Sequence, residues 1–138
     1  MIPVNTPLLA GNEKKYLAEC IETGWISSEG PFVEKFETSF ASLVDREHAI
    51  AVSNGSAALD AAVVALEIGP GDEVILPSVT ITSCAAAIVR AGAVPVVVDS
   101  APLTWNMTAD TIEAAITLRT KAVMVVHIYG HPCDMDPI

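Results

Sequence analysis

The feature that most constrains this chain is an alternation of apolar and helical segments after His48. Ala49–Ser53 is apolar and strand-like, and Ser56–Leu66 has a helical pattern. Glu73–Leu76 reads as a short strand closed by Pro77, and Thr80–Arg90 as a helix that Gly92 ends. Val94–Val98 is a buried-looking strand ending at Asp99. Thr108–Leu118 reads as a helix capped by Thr108, and Lys121–His127 as a fourth strand. Gly69-Pro70-Gly71-Asp72 between the first two units is turn chemistry. Strands and helices alternating in units of about 20–25 residues imply right-handed βαβ crossovers. The expected fold class is therefore α/β, a three-layer arrangement with a mostly parallel sheet and flanking helices. A composition that is 51% hydrophobic but only 5% aromatic suits strands covered on both faces.

The first part of the chain reads differently. Asn12 to Thr23 predicts a short amphipathic helix, with Tyr16, Leu17, Cys20 and Ile21 on one face and Gly24 as its stop. Gly24 to Gly30 is a loop rich in hydroxyls, and Pro31 suits the first turn of a second helix. Phe32, Phe36 and Phe40 recur every four residues in that helix and predict a packing stripe. At the other end, Asp134-Met135-Asp136-Pro137-Ile138 resembles the first turn of a further helix. A sheet left open after its last strand has an apolar edge, so association is expected.

Charge excludes some partners. The formal net charge of -10 repels nucleic-acid phosphates and anionic membrane surfaces, and no Lys/Arg cluster offsets it. No secretory leader is expected from Met1-Ile2-Pro3-Val4-Asn5, and Val74 to Val89 reads as strand, turn and helix instead of a membrane span. The odd cysteines Cys20, Cys84 and Cys133 form no CxxC pair and fit reduced, cytoplasmic thiols. His127, His131 and Cys133 match no standard zinc spacing, so no metal is expected, and His48 reads as a boundary residue.

The segment Ser53-Asn54-Gly55-Ser56 joins a strand-like run to a helix start. Backbone N–H groups without partners and the positive end of the helix dipole meet there, a natural seat for a phosphate. Gly55 lets a ligand approach the backbone, and Ser56 adds a hydroxyl donor. An ordinary Ser/Asn cap with a turn glycine is the other reading of the same residues. Neither GxGxxG nor GxxxxGK[ST] occurs at this position, so the dinucleotide and P-loop fingerprints are both missing.

Five stretches stand out together: Gly24-Trp25-Ile26-Ser27-Ser28 with Gly30-Pro31-Phe32-Val33; Ser53 to Leu59; Ile68 to Ile75 with Pro77; Val97-Val98-Asp99 with Thr104-Trp105-Asn106-Met107; and Val126 to Met135. In these stretches the chain resembles the DegT/DnrJ/EryC1/StrS family of pyridoxal-phosphate-dependent sugar aminotransferases. The resemblance runs over essentially the whole chain, in the family's order and spacing. It implies the N-terminal portion of a fold-type-I transferase large domain over 1–138, with N-terminal helices and an active-site loop over 1–45 and βαβ units over 46–138. It implies pyridoxal 5'-phosphate as cofactor, its phosphate held by Gly55, Ser56 and Ala57 through two backbone amides and the Ser56 hydroxyl. Trp25, Ile26 and Ser27 would lie in the loop that meets the sugar nucleotide. The implied reaction moves an amino group from an amino acid such as glutamate to a nucleotide-linked keto sugar, in a homodimer or with a complementing chain.

Two departures from the family pattern stand out. Ile81 occupies the position where the family usually has an aromatic ring stacked on the pyridine, and can cover that face by dispersion only. The family's pyridine-pairing carboxylate and its cofactor-linking lysine are expected beyond residue 138, so no catalytic residue is assigned here. Lys14, Lys15, Lys35 and Lys121 are outside the expected motif. A non-catalytic or vestigial α/β module that binds a phosphate or a partner subunit, and an NAD-type Rossmann domain, are the alternatives.

Overall fold

The computed structural model describes residues 2, 3 and 5–138. Its contacts divide the chain into two compact units, Met1–Ala51 and Val52–Ile138.

In the first unit, α1 spans Glu13–Thr23 and α2 spans Pro31–Leu43. Gly24 closes α1 at φ 78°, a left-handed conformation that glycine adopts without steric cost, and its N–H donates to the Ile21 carbonyl. Pro31 occupies the first turn of α2, where its missing N–H leaves nothing unpaired. The expected packing stripe is only partly buried. Phe32 is half-buried against Tyr16, with ring centroids 5.1 Å apart, but Phe36 and Phe40 are exposed and stack on each other. Ala41 is the one buried residue of α2 among those described.

The expected strand over Ala49–Ser53 is absent among the described residues. A strand is a property of two segments, because its ladder needs a partner. Here the Ala51 N–H instead donates to the Glu37 carboxylate at 2.8 Å.

The second unit carries the sheet. Helix α3 spans Gly55–Ala65, β1 Glu73–Pro77, α4 Thr82–Arg90, β2 Val94–Val98, α5 Ala109–Glu113 and β3 Thr120–Val123, followed by a single 3-10 turn at Ile128–Gly130. The described strands form one parallel sheet in the order β2-β1-β3. Central β1 is buried along its whole length. Its side chains alternate between two cores, as strand geometry requires. Val74 and Leu76 pack with Val63 of α3 and with Cys84, Ala87 and Ile88 of α4. Ile75 faces the other way, into Val98, Met107, Ile112 and Cys133. Helices therefore cover both faces, and the three-layer, parallel α/β expectation holds.

One burial and two boundaries differ from the sequence reading for tertiary reasons. Strand β2 was expected to be buried, yet Val94 and Val97 are more than half exposed because β2 is the sheet's edge. The helix expected over Thr108–Leu118 stops at Glu113. Thr117 turns back so that its hydroxyl donates to the Glu73 carboxylate, and Arg119 pairs with the same carboxylate. The strand expected to reach His127 leaves the ladder soon after Val123, with one further bond from the Met124 N–H to the Ile75 carbonyl at 2.7 Å.

Candidate functional site

All strands of a parallel sheet end on one edge, where α/β folds gather their ligands. Here the carboxyl end of β1 leads through Ser78–Ile81 into the amino terminus of α4. The amino terminus of α3 meets it there, because the Ser56 and Ser83 hydroxyls lie 2.8 Å apart and hydrogen-bond. Two helix starts are thus held together by a pair of half-buried serines from residues 27 apart in sequence.

The amides at this corner divide into used and available. Asn54 is the N-cap of α3, and its side-chain oxygen accepts from the Ala57 N–H at 3.0 Å. The Asn/Ser cap reading is therefore realised, and Ala57 has no amide left to offer a ligand. The Gly55 and Ser56 N–H groups meet no acceptor among the described residues. A Cβ built onto Gly55 would meet nothing within 4 Å, so the space beside Gly55 is open. On α4, Ile81 is the N-cap and has no capping side-chain bond, while the Cys84 N–H donates to the Ile81 carbonyl. Ile81 itself is 67% exposed, an aliphatic surface beside the serine pair.

Neutral donors dominate because the cations of this unit are elsewhere. Arg90 closes the far end of α4 and pairs with Asp60. Arg119 is bound to Glu73 at the amino end of β1, and Lys121 lies in the first half of β3. The Thr117 hydroxyl and then the Arg119 guanidinium hold the Glu73 carboxyl below its ordinary range. That cluster is built into the fold at the opposite edge of the sheet.

Trp25, Ile26 and Ser27 belong to the other unit. The Trp25 ring covers Gly30, where an added Cβ would come within 3.1 Å of it, and Gly30 has φ 142°. Glycine is thus needed there on both steric and conformational grounds. Ser27 is tied to its own loop, its hydroxyl donating to the Glu29 carbonyl at 3.2 Å. Ile26 is 80% exposed. An open groove of about 540 Å³ runs beside this loop, lined by Trp25, Ser28, Glu29 and Val33 among others.

The sequence gives no signal for Ser83, and reads Trp105-Asn106 as a structural turn before the helix cap without identifying the long-range ties that Asn106 makes. Asn106 is 4% exposed and pins the segment after β3. Its amide donates to the His131 and Pro132 carbonyls at 3.0 and 3.1 Å, and its oxygen accepts from the Ile128 N–H. The neighbouring His127 Nδ1 accepts from the Cys133 N–H at 3.0 Å. Burial pushes the Cys133 thiol up, against a smaller opposing effect of its contact with the Met107 backbone. The side-chain partners of both Ser83 and Asn106 are more than twenty residues away, so no local signal marks those ties.

A parallel sheet with paired helix starts, unpaired amides and two hydroxyls at its carboxyl edge defines an α/β domain of the kind that gathers ligands at that edge. The chain belongs to the DegT/DnrJ/EryC1/StrS aminotransferase family, whose model matches residues 7–138. It is 53% identical over 137 residues to a GDP-perosamine synthase of Caulobacter vibrioides, covering 99% of this chain and 37% of that protein. A GDP-perosamine synthase of Escherichia coli O157:H7 is 50% identical, with 99% and 38% covered. Among solved structures, NtdA from Bacillus subtilis with bound cofactor PMP superposes with a TM-score of 0.82 at 37% identity, covering 91% of this chain and 28% of that one. The chain thus spans a little over a third of the length of these curated relatives.

Proposed function

We propose that residues 1–138 form the N-terminal, cofactor-phosphate-holding part of a pyridoxal-phosphate-dependent aminotransferase. Its substrates are an amino donor such as glutamate and a nucleotide-linked keto sugar. The sugar assignment rests on the likeness to GDP-perosamine synthases. The observation that carries the cofactor assignment is the corner where α3 and α4 begin, with Gly55 and Ser56 amides open and the Ser56–Ser83 pair beside them. These groups fit a phosphate ester because they are all donors and the glycine leaves room for close approach. When bound, pyridoxal phosphate supplies the electron sink for moving an amino group.

This chain's own residues bind and orient. The Gly55 and Ser56 amides and the Ser56 hydroxyl hold the phosphate. Ile81, exposed beside the serine pair, would cover one face of the pyridine by dispersion. The Trp25–Ser27 loop contributes to sugar-nucleotide contact. Lys121 lies in the first half of β3, away from the α3–α4 corner, and Lys14, Lys15 and Lys35 stand in α1 and α2 outside the expected lysine motif, so we assign none of them a covalent role. We assign the assembly to a homodimer or to a complementing chain, and its compartment to the cytoplasm. No helix among the described residues is long and apolar enough to cross a membrane.

Calorimetric titration with pyridoxal 5'-phosphate, unphosphorylated pyridoxal, inorganic phosphate and NAD tests this reading. The expected result is binding of the phosphate ester at least about tenfold tighter than pyridoxal, equivalent to one charged hydrogen bond or more, and no binding of NAD. Equal affinity for the ester and for inorganic phosphate would instead support a phosphate-binding module. Preference for NAD would overturn the assignment in favour of a dinucleotide domain.

A further inference from the structure

The second unit has few cations to balance a bound anion. A phosphate monoester carries close to two negative charges near neutral pH. The whole chain carries a formal net charge of -10. Arg90, Arg119 and Lys121 are the only cationic side chains of 52–138, and all three are committed or placed away from the α3–α4 corner. An anion held there by this segment is held by dipoles and hydroxyls, so the direction of each O–H matters.

Resting on the cofactor reading above, we infer that Ser83 is a positioning residue for the cofactor phosphate, acting through Ser56. The two hydroxyls carry two protons, and their 2.8 Å contact uses one of them. A dianion accepts only, so the remaining proton must point outward to it. When Ser83 donates to Ser56, the Ser56 oxygen is satisfied as an acceptor and its own proton is left for another acceptor. The bond also locks both side chains in one rotamer before the ligand arrives, removing an ordering cost from binding. Ser56 alone at the start of α3 has no such constraint, since Ser83 is its side-chain partner among the described residues.

The pair does a second thing. It couples the start of α3 to the start of α4, whose N-cap Ile81 covers the ring position in the reading above. Phosphate end and ring end of the cofactor are then registered by one hydrogen bond. In this chain the ring face is covered by an aliphatic side chain, so the phosphate anchor carries more of the cofactor's orientation.

The test compares the full chain with Ser83→Ala, Ser83→Thr and Ser56→Ala, titrated with pyridoxal 5'-phosphate and with pyridoxal. Circular dichroism and urea midpoints are recorded for each variant. Expected are about tenfold weaker binding of the phosphate ester by Ser83→Ala, unchanged binding of pyridoxal, and recovery in Ser83→Thr, which keeps the hydroxyl. Binding measured through the phosphate's second ionisation adds a readout independent of fold. The wild type prefers the dianion, and Ser83→Ala loses part of that preference. If Ser83→Ala binds the ester like wild type while Ser56→Ala does not, Ser83 has no positioning role and the cofactor reading stands. If Ser83→Thr is as weak as Ser83→Ala, shape and not the hydroxyl matters, and the inference fails. If wild type does not distinguish the ester from pyridoxal, the cofactor reading fails, and this inference with it.

Discussion

Residues 1–51 and 52–138 are built from the same kind of amphipathic material but bury it to very different extents. In 52–138 the central strand gives its alternate side chains to two cores, and Ile75 and Ile88 are fully buried. In 1–51 only Ala41 is buried among the described apolar residues, while Leu17, Ile21, Phe36 and Leu43 are exposed by more than half. The lesson is that an apolar helical face is a request for a partner and does not itself make a core. A sheet is what converts such faces into two-sided burial, because one strand can offer side chains in both directions.

Truncation of a core side chain is the strongest way to break this comparison. Ile75→Ala removes a fully buried side chain and is expected to cost about 2–5 kcal/mol. Phe36→Ala removes a larger side chain that is 57% exposed, and its expected cost is about 1 kcal/mol or less. Urea unfolding monitored by circular dichroism measures both. Equal costs would mean that 1–51 has a core after all.

A smaller effect sharpens the limits of the second unit. Asn106→Ala orphans the Ile128 N–H and two carbonyls, with an expected cost of about 1–3 kcal/mol. Hydrogen exchange should accelerate most over Ile128–Cys133. Uniform acceleration across the unit, or none, would show that this segment does not depend on the Asn106 tie.

The mildest test is one of pH. The Glu73 carboxyl is held below its ordinary value of 4.5 in the folded chain, first by the Thr117 hydroxyl and then by Arg119. The folded state therefore binds fewer protons than the unfolded state on the acid side. This contribution is present in full above the ordinary value and is lost as pH falls through the lower, folded one. Glu73→Gln should flatten the acid limb of a stability-against-pH curve and leave the slope near neutrality unchanged. An unaltered acid limb would show that Glu73 titrates alike in both states.

Much of the fold was legible because its signals are local. Gly24, Pro31, Thr108 and Gly92 act through their own φ angles or neighbouring amides, and each sits at the helix end it was expected to mark. Thr108 and Thr111 form a reciprocal capping box whose partners are three residues apart. The turn at Gly69–Asp72 closes by bonds within itself, from the Asp72 N–H to the Gly69 carbonyl and from the Gly69 N–H to the Asp72 carboxylate. The candidate site was half legible on the same grounds. Gly55 and Ser56 announce a helix start, but Asn54's hold on Ala57 decides which amides remain for a ligand.

What the sequence by itself determined is the α/β alternation, the helix ends and the position of the phosphate-seat segment, because these depend on dihedral preferences and hydrogen bonds spanning a few residues. Tertiary structure alone decided that Ala49–Ser53 pairs with no strand among the described residues, that β2 is an edge, that Thr117 folds back onto Glu73, and that Ser56 meets Ser83. Each of those outcomes needs two segments far apart in the chain to meet. The energy that selects such a meeting belongs to the pair and is written in neither partner.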